Sequence, residues 1–332
     1  MARRDGSGIR RRLRPLSLDG VKTYPLAGRT SKVDRSQLAR PHRRGGSLAT
    51  FLSSLPRILA GDTLRELGDT IVRARDKRRP IVWGLGAHVV KVGLSPVLID
   101  LMERGFVTGI ALNGAGIVHD FELAVSGATS EDVQAGLGGG EFGMARETGE
   151  ELGRAVVEGD RDGLGLGASV GRYLSERRPR ARYRELSLLA AAWRLDLLAT
   201  VHVAIGTDIV HVHPACDPGA LGRATHLDFR LLAAEVARLG GGGVYLNVGS
   251  AVVLPEVFLK ALTLARNLGH RVTGFATANL DFIQSYRPGV NVVERPVAGH
   301  GRGFRLTGHH EILVPLVAAL LVEKAGGRGG AR

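Results

Sequence analysis

The sequence predicts an α/β protein with a doubly wound, mostly parallel sheet and helices on both faces. Two observations predict this fold class. Short apolar runs alternate repeatedly with amphipathic stretches between residues 80 and 324, which is the pattern of consecutive β-α-β units. Glycine-rich turns follow several of the apolar runs, and no linker interrupts the alternation. We therefore expect one doubly wound domain over this part of the chain.

The first elements follow from local signals. Pro80–Gly84 is an apolar run bounded by proline and glycine, which is typical of a buried strand. A Ser-Pro pair then supplies the N-cap and the first-turn proline of a helix over Val97–Arg104. Val107–Leu112 is the next apolar run and predicts a second strand. A tight loop over Asn113–Gly116 follows it, and Asp120–Val125 opens another helix.

The second half of the chain repeats this alternation. Leu227–Leu239 has apolar residues at helical spacing, and a run of glycines separates it from the next apolar stretch. In chain order, the predicted elements are a strand at Leu198–Ile205, the helix at Leu227–Leu239, a strand at Val244–Val248, a helix at Pro255–Leu268, a strand at Arg271–Ala276 and a last helix at Glu311–Lys324.

Composition narrows the class of protein. The chain has 332 residues, of which 44% are hydrophobic, so wholesale disorder is excluded. The longest apolar run, Ile312–Val322, is shorter than the about 18 residues that a membrane helix needs, so we expect no membrane span. The single cysteine, Cys216, excludes a disulfide framework and a four-cysteine zinc site. It fits a reducing compartment, and we expect a cytoplasmic protein.

The positive charge is concentrated at the N-terminus. Residues 1–45 contain 13 Lys and Arg and 3 Asp, which is +10 of the formal net charge of +13. We predict a basic, partly extended arm over residues 1–46 and a single α/β domain over residues 47–332. The arm is either a solvated or oligomer-packing extension or a nonspecific contact to nucleic acid phosphates. No aromatic residues alternate with its arginines to stack on bases.

Glycine-rich loops follow four of the predicted elements, at Gly84–Gly86, Asn113–Gly116, Gly206–Asp208 and Val248–Ala251. Ligands of open parallel sheets bind beyond the carboxyl ends of the strands, so several such loops together favour a nucleotide-type ligand. Any one of them is equally compatible with an ordinary strand-to-helix turn. The first loop also lacks the third glycine of a G-x-G-x-x-G motif, where Val89 stands.

Several histidines lie near these loops. His119-Asp120 and His309-His310-Glu311 each place a proton carrier beside a carboxylate, which suits either acid–base chemistry or a helix cap. His211 and His213, if they lie in a strand, present both rings to one face and resemble two metal ligands. Because no third ligand is evident, ordinary hydrogen-bonded histidines are the favoured interpretation, and we predict no metal site.

At these loops the chain resembles a known enzyme family. Gly84–His88 looks like that family's first NAD-contacting turn, and Asn113–Asp120 resembles its Thr-Thr-Ala-Gly-Gly-Val-Glu-Glu loop. Val248–Val253 resembles its Gly-Gly-Gly-Val-Val loop, Thr277-Ala278 matches a Thr-Ala pair, and Thr307–Leu316 resembles its closing segment. The family is deoxyhypusine synthase.

The resemblance covers residues 82–321 and implies a Rossmann-like NAD-binding fold, NAD as cofactor, and a cytoplasmic homotetramer with its sites at subunit interfaces. It implies a small-molecule substrate, which is a polyamine in the family. The candidate cofactor-binding residues are Gly86, Ala87, His88, Gly114, Ala115, Gly116, Gly249, Ser250, Thr277 and Gly308. The candidate catalytic residues are His119, Asp120, Asp208, His309 and Glu311.

The chain differs from the family at the residues that form the imine and bind the polyamine. Family members form an imine through the lysine of a Trp-Gly-Lys motif, and the corresponding residues here are Glu294–Pro296. The family's acidic polyamine ligands correspond to Gly289 and Val290. Arginine cannot form the imine, because its guanidinium stays protonated. Three hypotheses remain: an NAD-dependent enzyme that uses an amine or related small substrate without a lysine imine, aminobutyl transfer from spermidine to a protein lysine with altered residues, or a non-catalytic NAD-binding or scaffold protein.

Overall fold

Six parallel strands form one sheet in the computed structural model, which describes residues 15–177 and 181–326 of the chain. The strands are β1 (Ile81–Leu85), β2 (Gly109–Asn113), β3 (Leu198–His202), β4 (Val244–Val248), β5 (Ala276–Asp281) and β6 (Arg302–Thr307). Their order across the sheet is β3-β2-β1-β4-β5-β6, and every neighbouring pair is parallel. This is the doubly wound order of dinucleotide-binding folds, which confirms the predicted fold class.

Helices connect the strands and cover both faces of the sheet. They are α1 (Leu48–Ser54), α2 (Leu59–Asp76), α3 (Ala87–Lys91), α4 (Ser95–Glu103), α5 (Gly114–Ser126), α6 (Val133–Leu137), α7 (Arg146–Arg161), α8 (Leu166–Arg172), α9 (Leu188–Arg194), α10 (Pro218–Ala237), α11 (Val253–Asn267), the single turn α12 (Tyr286–Pro288) and α13 (His310–Gly326). Within the described residues, none of these helices is long and apolar enough to cross a membrane.

Two apolar cores lie on the two faces of the sheet. The side chains of β1 alternate between these two cores. Trp83 and Leu85 belong to the larger core, and Val82 belongs to the smaller one. The smaller core contains Tyr245 of β4, whose ring stacks on Phe258 of α11 with a 3.8 Å centroid separation. Burial on both faces explains why the central strands appear in the sequence as continuous apolar runs.

The chain divides into two compact units, and the division falls between Leu38 and Ala39. In the first, the described residues contain two short 3-10 turns, Leu26–Gly28 and Arg35–Gln37, and the Asp34 side chain caps the second turn. The second unit contains the sheet and all the helices named above. Nothing in the structure tests the expected arm at residues 1–46 or the expected domain at 47–332, and residues 1–14 lie outside the described residues.

The structure differs from the sequence analysis in three places where strands were considered. The strand expected at Arg271–Ala276 begins at Ala276, because the chain before it is tied to a neighbouring turn by a Gly241 N–H to Thr273 O hydrogen bond. The edge strand β6 was missed, because its exposed and buried residues alternate and it has no continuous apolar run. His211 and His213 do not share a strand, because a 3-10 turn covers Ile209–His211.

Candidate functional site

The candidate site lies where the strand order reverses, at the carboxyl ends of β1 and β4. Gly86 follows β1 and Gly249 follows β4, and the Gly86 N–H donates to the Val248 carbonyl at 2.8 Å. A Cβ atom on Gly86 would lie only 1.9 Å from the Gly249 carbonyl oxygen, and Gly249 itself has φ +68°. Both positions therefore require glycine. Open parallel sheets bind ligands at this reversal point.

A histidine–aspartate pair lies directly behind the Gly249 loop. His310, the first residue of α13, is buried, and its Nε2 atom is 3.5 Å from Oδ1 of Asp281 at the end of β5. Burial lowers the pKa of His310, the carboxylate of Asp281 partly opposes that shift, and the charge of His88 adds to the lowering. His310 is therefore neutral near pH 7 and can accept a proton.

Exposed rings surround this buried pair. The His88 ring is 5.5 Å from the His310 ring, and the half-exposed Phe282 ring meets both edge-on. The His309 ring stacks parallel to Phe282 at 6.0 Å, and its Nδ1 atom is 3.8 Å from Oε1 of Glu311. The segments after β1, β5 and β6 thus contribute histidines and an aromatic surface to one place, beside the Gly249 loop.

A chain of buried amides supports the same loops. Asn247 Nδ2 donates to the Ser250 carbonyl and to Asn279 Oδ1, both at 2.8 Å. Asn279 Nδ2 in turn donates to Gln284 Oε1 at 2.9 Å, and Gln284 Nε2 donates to the Leu306 carbonyl at 3.1 Å. These bonds connect β4, β5 and β6 and fix the position of the Ser250 loop. Asn247 and Asn279 are fully buried, so the bonds also offset the cost of removing the amides from water.

Asp208 lies at a second place, beyond the ends of β2 and β3. Its carboxylate accepts the Ala204 N–H at 2.6 Å and a hydrogen bond from the Ala115 backbone. A Cβ atom on Gly114 would lie 2.2 Å from Asp208 Oδ2, so glycine is needed there as well. Burial raises the pKa of Asp208, and these backbone bonds oppose the rise. Asp208 thereby fastens its loop to the first turn of α5, whose residues include Gly116.

His119 and Asp120 point to different surroundings. The buried Asp120 carboxylate accepts the Ser187 hydroxyl at 2.5 Å and the Leu188 N–H at 2.6 Å, so it caps α9. Burial raises its pKa to about 6. His119 Nδ1 is 2.7 Å from the Thr129 hydroxyl, and burial lowers the pKa of this histidine. Of the two alternatives that the sequence left open for this pair, Asp120 adopts the helix cap.

The structure brings together some of the sequence-predicted site residues and separates others. The residues gathered at the reversal point are Gly86, Ala87, His88, Gly249, Ser250, Gly308, His309 and Glu311. Thr277 is not among them, because it is the second residue of β5 and lies near the amino end of that strand, whereas the site is at the carboxyl ends. Within residues 15–177 and 181–326, no group of three or more His, Cys, Asp or Glu side chains is placed to hold a metal ion.

The sequence analysis did not select His310, Asp281 or Phe282. Asp281 is the last residue of the fully buried strand β5, and Phe282 follows it. The sequence analysis began this strand five residues too early, so its carboxyl end was not recognised. Of the two adjacent histidines, the one chosen, His309, is exposed and the other is buried. A correctly placed β5 would have indicated an acid at the strand end, which is the usual signal in this fold.

Comparisons with known proteins show the same fold. No family model matches the chain, and no curated protein matches it. Among solved structures, AgrE in a complex with ornithine and NAD+ aligns with TM-score 0.54 at 11% identity, over 80% of this chain and 33% of that one. The chain therefore spans about a third of the length of AgrE.

Two further structures align over more of their own length. A conserved candidate LOR/SDH protein from Methanococcus maripaludis S2 has TM-score 0.52 at 12% identity, over 81% of this chain and 71% of that one. A candidate deoxyhypusine synthase from Entamoeba histolytica has TM-score 0.50 at 8% identity, over 86% of this chain and 96% of that one. At these identities, the similarity establishes the fold and nothing finer.

Proposed function

We propose that the protein is an NAD-dependent enzyme that acts on an amine or a related small substrate at the reversal point between β1 and β4. The observation that carries this proposal is the close approach of Gly86 and Gly249, where a Cβ atom on Gly86 would meet the Gly249 carbonyl oxygen at 1.9 Å. Two loops whose glycines approach each other at the reversal of a doubly wound sheet are typical of dinucleotide sites.

The residues at the carboxyl ends of β1 and β4 provide some, but not all, of the groups that usually bind a dinucleotide. Gly86–His88 and the Gly249-Ser250 loop would hold it through backbone groups, with Gly308 beside them. The acid that often binds a ribose at the end of the second strand is missing, because Asn113 stands there and its Oδ1 accepts the Gly116 N–H at 3.1 Å. NAD, when bound, supplies a hydride acceptor.

The chain's own residues supply proton transfer beside that place. The exposed rings of His88 and His309 are placed to take or give a proton at a substrate atom, and Phe282 provides an apolar surface between them. The buried pair of His310 and Asp281 supports His88 from behind. An amine substrate is supported by the AgrE complex, whose ligands are ornithine and NAD+.

Aminobutyl transfer is the second candidate, supported by the fold shared with a candidate deoxyhypusine synthase. The residues at the position of the family lysine do not favour it. Glu294 ends a π-helical turn and its Oε1 accepts from Arg305 Nη2 at 2.5 Å, while Arg295 and Pro296 form a 3-10 turn. No imine-forming group is present among these residues, so this reaction would require direct transfer.

A homo-oligomer in the cytoplasm, tetrameric by family resemblance, completes the proposal. Large apolar side chains are exposed near the carboxyl edge of the sheet, at Val252, Phe282, Ile283, Tyr286 and Ile312. Surface of this kind is typical of protein interfaces, so a second copy is expected to cover the site.

The test is calorimetric titration of the full-length protein with NAD, followed by ornithine or spermidine and NAD while NADH absorbance is recorded. We expect NAD binding that His88→Ala weakens and that the control His226→Ala, at an exposed position of α10, leaves unchanged. NADH formation with either amine supports the enzyme. NAD binding without turnover of ornithine or spermidine keeps NAD as the cofactor and excludes these two substrates, and absence of NAD binding overturns the proposal.

A further inference from the structure

The edge of the sheet where the strands begin is basic. Every segment that leads into a strand carries an arginine: Arg79, Arg104, Arg194, Arg238, Arg271 and Arg295, in the order of β1 to β6. The densest part is Arg73–Arg79 at the end of α2, with five Lys or Arg and one acid, Asp76. Strands of five or six residues span roughly 17–20 Å, so this edge is well separated from the candidate NAD site.

Two hollows flank the Arg73–Arg79 run. The first has a volume of about 420 Å³, and its charged lining residues are Arg73, Lys77, Arg302 and Glu66. The second has a volume of about 400 Å³, and its charged lining residues are Arg75, Arg78, Arg79, Arg238 and Glu235. Both acids are already bound to an arginine, Glu66 to Arg302 at 2.9 Å and Glu235 to Arg238 at 2.7 Å. Each hollow therefore keeps a net positive charge.

Several of these arginines are held in place by the protein itself. Arg75 Nε donates to the Arg104 carbonyl at 2.8 Å, and its guanidinium lies 4.6 Å from the centre of the Phe106 ring. Arg73 Nη2 donates to the Thr70 hydroxyl at 2.9 Å. A guanidinium has five N–H donors, so each of these side chains retains donors for a ligand. Prior ordering also reduces the side-chain entropy that binding would cost.

Arg78 gives an independent indication of function. It lies just beyond α2 with φ +51°, in the left-handed conformation that ends a helix, and the Arg79 N–H donates to the Ala74 carbonyl at 2.9 Å. Glycine is the usual residue there, and a larger side chain costs about 1 kcal/mol. The chain thus keeps a positive charge at a position where folding favours glycine.

We propose that this edge binds the phosphate groups of a nucleic acid backbone without reading its sequence. Guanidinium groups bind phosphate oxygens in bidentate fashion, and seven Lys and Arg side chains line the two hollows together. The phenyl ring that lines the first hollow, Phe275, is buried and is not available to stack on bases. All of its residues lie outside the basic arm that the sequence predicts over residues 1–46.

The first test measures fluorescence anisotropy of a labelled RNA duplex with the full-length protein at several salt concentrations. We expect binding that weakens with salt. The triple variant Lys77→Glu, Arg78→Glu, Arg79→Glu should lose about 100-fold in affinity and lower the salt slope by about 3. The control Arg154→Glu, Arg161→Glu, Arg230→Glu makes the same change in net charge at exposed positions of α7 and α10, and should change the affinity by less than about 3-fold.

Each contrary outcome overturns the proposal. Equal losses in the two triple variants would mean that only overall charge matters, and an unchanged first variant would assign the binding to the arm. If inorganic phosphate displaces the RNA at a concentration of phosphate groups equal to that of the RNA, the ligand is a small anion. Arg78→Gly distinguishes folding from binding: it should raise the thermal midpoint and weaken RNA binding several-fold, and unchanged RNA affinity would contradict a role for Arg78.

Discussion

The ring of His310 packs against the α-carbon of Gly249, so closely that a Cβ atom there would lie 2.9 Å from His310 Cε1. This contact joins the loop after β4 to the start of α13, and it presses a neutral histidine against the place proposed for the cofactor. The contribution of this contact to the free energy of unfolding can be measured separately from the chemistry of the site.

Gly249→Ala should destabilise the protein by about 2 kcal/mol or more and abolish NAD binding, because it adds a close contact with His310 to an unfavourable positive φ. Gly269→Ala is the matched control, since Gly269 has φ +86° and no atom within 4 Å of the added Cβ. The control should cost only about 1 kcal/mol. Chemical denaturation and NAD titration measure both effects, and equal losses in the two variants would contradict the contact.

Gly114 and Asp208 should show strong coupling. Gly114→Ala alone is expected to cost about 2 kcal/mol, because the new Cβ would lie 2.2 Å from Asp208 Oδ2. In an Asp208→Gly background, which also removes the Asp208 Cβ that would lie 2.8 Å from the new atom, the same change should be neutral or stabilising, since alanine is the better helix former. A double-mutant cycle by urea denaturation measures the coupling, and additive effects would show that the two residues do not touch.

Asp120→Ala should destabilise the protein by about 2–4 kcal/mol, because it leaves the Ser187 hydroxyl and the N-terminus of α9 without their buried acceptor. Asp120→Asn should cost less, since its amide oxygen can still accept the Leu188 N–H and its NH2 group can donate to the Ser187 hydroxyl oxygen, so that only the Leu189 N–H loses its acceptor. Thermal melts of the two variants provide the comparison. If Asn is as damaging as Ala, the charge of Asp120 rather than its hydrogen bonding is essential.

Asp228 should make stability depend on pH. Burial raises the pKa of this carboxyl to about 7, although Gly167 N–H and Val201 N–H donate to its Oδ2 at 2.9 and 2.7 Å. The folded state then holds the proton more tightly than the unfolded state, so this group's contribution is full below its unfolded pKa and is lost as pH rises through about 7.

The wild type should therefore gain stability relative to Asp228→Asn as the pH falls from about 8 to about 5. Denaturant midpoints at both pH values measure this difference. Glu150→Gln, at an exposed position of α7, is the control for general charge effects. A difference between wild type and Asp228→Asn that stays constant with pH would contradict the raised pKa.

Local signals were sufficient to predict much of the fold. The strands at β1 and β4 are continuous apolar runs, and the glycine loops after them were recognised because glycine appears where backbones come close together. The fold class and the two loops at the reversal point therefore follow from residues that are neighbours in sequence.

The rest of the candidate site depends on partners that are distant in sequence. β5 contains Asn279 and Asp281, whose burial is tolerated only because Asn247 and Gln284 satisfy the amide and the Phe282 N–H donates to Asp281. No sequence pattern within β5 indicates that these polar side chains have buried partners. Likewise, packing against Asp281 and Gly249 determines that His310 rather than His309 faces inward.

The pairing of β1 with β4 also bears on how the chain is made. Ile81 lies beside Val244, so the centre of the sheet closes only after most of the chain has left the ribosome. Until then, β1, β2 and β3 can assemble from the chain up to His202, with the β1 edge open. An open edge of a parallel sheet recruits other strands, so slow synthesis of the β4 region should favour aggregation and chaperone capture of nascent chains.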